Sequence, residues 1–226
     1  MFFSEELKNM THSGLRWKAI LLALALSGAG VAAGRPAAGL AEENWQSLFD
    51  GKSLGQWKST EFGGEGKVTV ANGQINLEAG ANLTGITWSG GALPKTNYEI
   101  SLEAKKTDGS DFFCGLTFPV ANSFCSLIVG GWGGGIVGLS SIDGHDASEN
   151  ETTQVMNFPA SRWYRIRVKV TPTKIEAWLD DKSLADVTIT GHSIDIRSEV
   201  ELSKPLGIAT WMTGAAFRDI KLRRLP

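Results

Sequence analysis

The chain has 226 residues, 42% of them hydrophobic, with 22 basic and 24 acidic side chains and a formal charge of −2. The basic residues are scattered rather than gathered into a patch, which excludes nucleic-acid binding. The length beyond a short leader suits one domain with a sizeable core.

The leader comes first in chain order. Arg16 and Lys18 precede an apolar run, "AILLALALSGAGV" (Ala19–Val31), and then small residues that offer A-x-A-like cleavage after Ala33 or Ala41. The run is shorter than the roughly 20 residues of a comfortable membrane span. Residues 1–41 are therefore expected to be a signal peptide, with a signal-anchor as the alternative. The protein is expected to be exported, periplasmic or extracellular, with no membrane span left after cleavage. Residues 42–226 then form a single domain with 18 basic and 22 acidic residues, a formal charge of −4.

From Trp45 onward the hydrophobic period is two. Val68 and Val70, then Ile75 and Leu77, flank Asn72-Gly73, which predicts a hairpin closed by a type I′ turn. "YEISLEAKK" alternates Tyr98, Ile100, Leu102 and Ala104 against polar partners. "WYRIRVKV" points Tyr164, Ile166, Val168 and Val170 inward and Arg165, Arg167 and Lys169 to water. "KIEAWLDDKSLADVTI" reads as a further hairpin turning at Asp180-Asp181-Lys182. Cys114 and Cys125 lie in step with apolar neighbours, so both face the core of one hairpin, either as a disulfide or as buried thiols. Ten or more short strands, with no amphipathic helical stripe, predict an all-β chain built as a two-sheet antiparallel β-sandwich or barrel.

Three stretches carry a resemblance: "WQSLFDGKSLGQWK" (Trp45–Lys58), "WYRIRVKVTPTKIEAWLDD", and the ending "LGIATWMTGAAFRDIKLRRL". Together they resemble the 3-keto-disaccharide hydrolase family, over roughly Glu42 to Pro226. The resemblance implies a concanavalin A-like jelly roll, akin to laminin-G domains, and a hydrolase acting on oxidised glycosides. In the middle the chain reads "SDFFCGLTF" and "SFCSLIVGGWGGG", unlike the family's usual strands, so no catalytic residue is carried over. A weaker likeness, "EISLE" (Glu99–Glu103), lacks the middle acid of the laminarinase-type strand, where Ser101 stands.

The segment Val129–Glu151, "VGGWGGGIVGLSSIDGHDASENE", carries the candidate site. Gly133, Gly135 and Gly138 match G-x-G-x-x-G formally, but no helix follows, and a dinucleotide site is set aside. Glycines in a strand mark a bulge or a close approach. Here Gly133 and Gly135 are expected to clear a groove in which Trp132 stacks on a sugar ring and Asn150 adds a hydrogen bond. The alternative is a bulged loop with Trp132 plugging the core. His145 is the candidate general base, with Asp143, Asp146 and Glu149 orienting it or holding a divalent metal ion. Trp88 and Trp211 are further candidates for stacking, expected more readily in the core, and His192 is expected to be merely solvated. Two functions follow. One is an enzyme that removes the C2 proton of a 3-keto glycoside and expels the aglycone, and the other is a non-catalytic, lectin-like carbohydrate-binding module.

Overall fold

The structure, a computed structural model, describes residues 44–226. The leader read at residues 1–41 lies outside the described residues. The strands in chain order are β1 (Gln46–Ser47), β2 (Trp57–Ser59), β3 (Val68–Ala71), β4 (Gln74–Leu77), β5 (Leu83–Trp88), β6 (Tyr98–Lys106), β7 (Cys114–Val120) and β8 (Ser123–Gly131). They continue as β9 (Ile136–Ser140), β10 (Gln154–Val155), β11 (Trp163–Val170), β12 (Lys174–Leu179), β13 (Lys182–Thr188), β14 (Gly207–Trp211) and β15 (Ala215–Arg224). A short 3₁₀ helix, Ser198–Ser203, precedes β14. Among the described residues no helix is long and apolar enough to cross a membrane.

The first sheet runs β13-β12-β11-β6-β15-β4-β3, with β1 paired to β15, and the second runs β10-β9-β8-β7-β14-β5-β2. Every pairing is antiparallel. This is the two-sheet sandwich that the alternating pattern predicts. The last two strands take interior positions, β15 between β6 and β4 and β14 between β7 and β5.

The local chemistry explains the hairpins. Asn72 and Gly73 have φ of 54° and 74°, the two positive values a type I′ turn requires, and β3 and β4 pair across them. In β11 and β6 the inward residues pair in register, Tyr164 with Ala104, Ile166 with Leu102 and Val168 with Ile100. All six are buried between the sheets, at about 25 cal/mol per Å² of apolar surface removed from water. In β15 both Phe217 and Ile220 reach the core although they are three residues apart. A bulge between Arg218 and Lys221 resets the alternation there.

Cys114 and Cys125 are buried free thiols on β7 and β8. Cys114 pairs with Val129, and Cys125 with Phe118, so the two are offset along the hairpin rather than opposite each other. Trp88 is in the core, edge-on to Trp57 with ring centroids 5.3 Å apart.

The acids of "EISLE" lie on the outer face of the first sheet. Glu99 is buried there between Arg167 (2.8 Å) and Arg223 (2.5 Å), and Glu103 meets Arg218 at 2.5 Å. Arg167 and Arg218 stack in turn on Trp178 and Trp163. Both acids are thus held in ion pairs, which suits a structural role and not a glycosidase pair.

Candidate functional site

The outer face of the second sheet is the place to look, because its strands do not present a purely polar surface to water. Residues of odd parity on β5 and β14, Leu83, Ala209 and Trp211, point away from the main core. They gather with Phe62, Phe112, Phe124, Ile196 and Val200 into a separate apolar cluster. Ile196 and Val200 come from the connection between β13 and β14, which folds over this face.

A row of small residues makes the floor. Gly85 pairs with Ala209, Ala209 with Gly115, and Gly115 with Ile128. A Cβ at Gly115 would sit 3.1 Å from Phe112 Cε2, and one at Gly85 would sit 3.0 Å from Phe62 Cε2. Glycine is needed at both positions so that the aromatic rings can lie against the sheet. Above the Gly115 end of this floor is a cavity of about 240 Å³. Phe112, Trp132 and Trp211 supply its aromatic walls, and Asp111, Arg197 and Glu199 its charges.

Trp132 sits in the β8–β9 turn with φ of 49° and is 44% exposed, so it does not plug the core. Asp111 fixes that turn. Its Oδ2 accepts the Gly133 N–H at 3.0 Å, its Oδ1 accepts the Phe112 N–H at 2.7 Å, and its own N–H donates to Thr213 Oγ1 at 2.9 Å. One carboxylate therefore sets two aromatic walls at once. Gly133 and Gly135 belong to this turn, Gly133 with φ of 83°, and neither lines the cavity.

Two serines sit in the cavity floor, Ser126 on β8 and Ser140 on β9, each 1% exposed. Ser126 Oγ bonds Thr117 Oγ1 at 2.8 Å. Ser140 Oγ has no hydrogen-bond partner. A buried hydroxyl left so is destabilising by about 1–3 kcal/mol, and of the three such hydroxyls among the described residues, with those of Tyr164 and Ser203, it is the one that lines this cavity.

The loop after β9 is built around Asn150. Its Nδ2 lies 2.8 Å from Leu139 O, 2.8 Å from Asp146 O and 3.1 Å from His145 O, and its Oδ1 accepts from the N–H and hydroxyl of Thr152. Asn150 thus directs its hydrogen bonds into the loop and holds its shape. The loop closes over β9 at Gly138, where a Cβ would lie 2.9 Å from Ala147 O.

Asp146 faces a second, polar cleft of about 460 Å³ that shares Arg197 and Glu199 with the aromatic cavity. Arg197 bridges Asp146 at 2.6 Å and Glu199 at 2.7 Å. Burial raises the Asp146 carboxyl, but the Ser148 donors and Arg197 outweigh it and hold the group below its ordinary range. The Arg197 hydrogen bond likewise lowers Glu199. Glu149 lines the polar cleft as well.

Asp143 is drawn elsewhere. Its Oδ2 lies 2.7 Å from His192 Nδ1 and its Oδ1 accepts the Ser193 N–H at 2.8 Å. The Ser193 N–H and then His192 lower Asp143, and Asp143 raises His192. His145 is exposed, pairs through its backbone with Ile142, and lines neither cavity. The structure thus brings Trp132 to the aromatic cavity and Asp146 and Glu149 to the polar cleft, with Asp143 and His145 outside both. Among the described residues no group of three or more His, Cys, Asp or Glu is placed to share a metal ion.

Several site residues lie beyond what the sequence singled out: Asp111, Phe112, Ser140, Arg197 and Glu199, with His192 paired rather than merely solvated. Trp211 turns to the cavity, not the core. Its signal was available, because Ile208 faces inward and strand parity then sends Trp211 outward.

The likeness to solved structures is one of fold. Crh5 transglycosylase in complex with NAG superposes with a TM-score of 0.56 at 10% identity, over 80% of this chain and 83% of that one. The Emp46p carbohydrate recognition domain gives 0.52 at 15% identity, over 80% and 95%. A protein from Parabacteroides distasonis, named as a candidate glycosyl hydrolase, gives 0.51 at 18% identity, over 80% and 94%. No curated protein matches the chain. At the level of the sequence, the 3-keto-alpha-glucoside-1,2-lyase-like domain matches residues 44–223. With that match spanning the whole sandwich, from before β1 nearly to the end of β15, the chain belongs to the 3-keto-α-glucoside-1,2-lyase-like family.

Proposed function

We propose that this is an exported carbohydrate-active protein that binds a saccharide on the outer face of its second sheet. The observation that carries the reading is the pairing of exposed Trp132 with a buried, unpartnered Ser140 hydroxyl in one cavity. A sugar ring needs such a combination of a flat apolar face for its C–H side and a few fixed polar groups for its hydroxyls. The leader pattern supports a periplasmic or extracellular location. Saturation-transfer NMR with a panel of neutral oligosaccharides tests the reading on the domain beginning at Glu42. Binding that falls about tenfold in Trp132→Ala, with the fold intact, is the expected result. Unchanged affinity in that variant removes the cavity from the reading.

Family membership favours a second reading for the same protein, cleavage of 3-keto glycosides. A base removes the proton at C2, the electrons form the C1–C2 double bond, the C1–O bond breaks, and the aglycone leaves with a proton. Water then adds across the double bond for net hydrolysis. Asp146 and Glu199, held below the ordinary carboxylate range, are weak bases near neutral pH, so an imidazole suits the first step better. His145 is the proposed base, and His192, whose Nδ1 lies 2.7 Å from Asp143 Oδ2, is its competitor for the role. Turnover of a 3-keto glycoside in His145→Ala and in His192→Gln separates the two. Full turnover in His145→Ala removes that assignment.

A further inference from the structure

The aromatic cavity offers more apolar surface than a sugar bearing only hydroxyls can use. Besides its three aromatic walls it is lined by Leu83, Ile128 and Val200. Its polar groups are mostly engaged within the protein. The Asp111 carboxylate accepts the Phe112 and Gly133 N–H groups, Ser126 bonds Thr117, and Arg197 is paired with Glu199. Ser140 is the exception, buried and with no partner for its Oγ. Strand parity aims it into the cavity. Val137 and Leu139 of β9 face the core, so Ser140 faces outward, beside Ser126 and Ile128 of β8. Ser140 pairs with Ser126, which makes Ile128 its diagonal neighbour on that face, at roughly the 7–8 Å of such pairs. A hydroxyl donor and an apolar side chain at that spacing can meet the two ends of one small group. A pyranose with hydroxyls alone would leave several of them buried and unpaired against this lining, at a cost for each. A substituent with one carbonyl acceptor and one methyl matches it better.

We propose that the cavity recognises an acetyl group on a sugar. The acetyl carbonyl oxygen accepts from the Ser140 hydroxyl, its methyl packs against Ile128, and the ring that carries it stacks on Trp132. The proposal deepens the saccharide reading above and rests on it. Sugars carry acetyl groups as amides on amino sugars or as esters on hydroxyls, and both present the same carbonyl and methyl. Discrimination comes from what is left unpaired. A ligand without the carbonyl leaves the Ser140 hydroxyl buried and unsatisfied, whereas an acetylated one supplies its partner.

The test is calorimetric titration of the protein with two matched pairs of probes. One pair is an N-acetylglucosamine trimer and cellotriose, which differ only at C2, and the other is an O-acetylated xylotriose and xylotriose. The acetylated member of at least one pair is expected to bind about tenfold more tightly, and the pair that shows it tells an amide from an ester. In Ser140→Ala that advantage should fall to about twofold. The thermal midpoint should not fall with it, because the hydroxyl removed has no partner in the protein. Ser203→Ala is the comparison, since its hydroxyl is as buried and as unpartnered but lies outside the cavity lining, and there the tenfold advantage should persist. Equal affinity within both pairs overturns the acetyl site and leaves the saccharide reading standing. An advantage unchanged in Ser140→Ala, or lost equally in Ser203→Ala, overturns the part given to Ser140 and the proposal with it. Binding of none of the four overturns the saccharide reading itself, and the acetyl site falls with it.

Discussion

Arg197 Nη1 lies 2.6 Å from Asp146 Oδ2, a contact that joins two connections 51 residues apart in the chain. Through it the loop after β9 and the segment leading to β14 become the two banks of one groove. Because the Arg197 side chain is 47% exposed, the pair adds only about 1 kcal/mol or less to stability. Its effect on shape is larger. Arg197→Met is expected to lower the thermal midpoint slightly and to weaken saccharide binding about tenfold, as Asp146 and Glu199 lose their common partner. Melting curves and titration on the same samples check this, and undiminished affinity would show that the bridge has no part in forming the groove.

Gly115 couples the packing of the second sheet to the wall of the aromatic cavity. A Cβ at Gly115 would lie 3.1 Å from Phe112 Cε2, so any side chain there must displace that ring. In Gly115→Leu the new side chain rises against Phe112 and Ile128, both of which line the aromatic cavity. Saccharide affinity should fall at least tenfold and the melting temperature should drop as well, reflecting the roughly 1–3 kcal/mol cost of an overpacked site. A large stability loss with retained affinity would make Gly115 a packing position only.

The His192–Asp143 pair has a definite pH signature. His192 is raised by Asp143, so its share of the pairing is complete below the unfolded histidine value near 6.5 and is lost as pH rises through its higher folded value. Asp143 is lowered, first by the Ser193 N–H and then by His192, so its share is present above about 3.9 and is lost as pH falls through its lower folded value. The pairing is therefore complete between about pH 4 and 6.5. An NMR titration should give His192 a midpoint above the ordinary imidazole value, and Asp143→Asn should return it there. A His192 midpoint unmoved by that substitution would dissolve the pair.

These sequence patterns were a good guide wherever neighbours in the chain are neighbours in space. Asn72-Gly73 specified its own turn, and the alternation in "WYRIRVKV" specified which side of β11 is buried. The groove was less legible because its parts come from six separate stretches: Leu83, Asp111–Phe112, Ser126–Trp132, Ser140, Arg197–Val200 and Trp211. No local period announces that "DIRSEV" will cover the outer face of β14. The loop acids illustrate the same limit. Asp143 and Asp146, three residues apart, turn to different partners, His192 and Arg197, because each is captured by whichever donor the β13–β14 connection brings near.

The two cysteines should be chemically silent in the folded state. Burial pushes the Cys125 thiol up to about 12 and Cys114 higher still, so neither forms thiolate near neutrality. A thiol reagent should label neither in native protein and both after denaturation, under non-reducing conditions. Rapid labelling of the native protein would contradict their burial.

The interior positions of β14 and β15 carry a consequence for how the chain folds. Before β14 arrives, β5 and β7 face each other across an open slot, and before β15 arrives, β6 and β4 do the same. Neither sheet can close by adding strands outward from an early hairpin. Each sheet is complete only when β14 or β15 has paired with strands distant from it in sequence. Such late, long-range pairing slows folding and leaves bare strand edges exposed in the meantime. A chain built this way completes both sheets through pairings between segments far apart in sequence, so removing either strand would open a sheet in its middle and not at its edge.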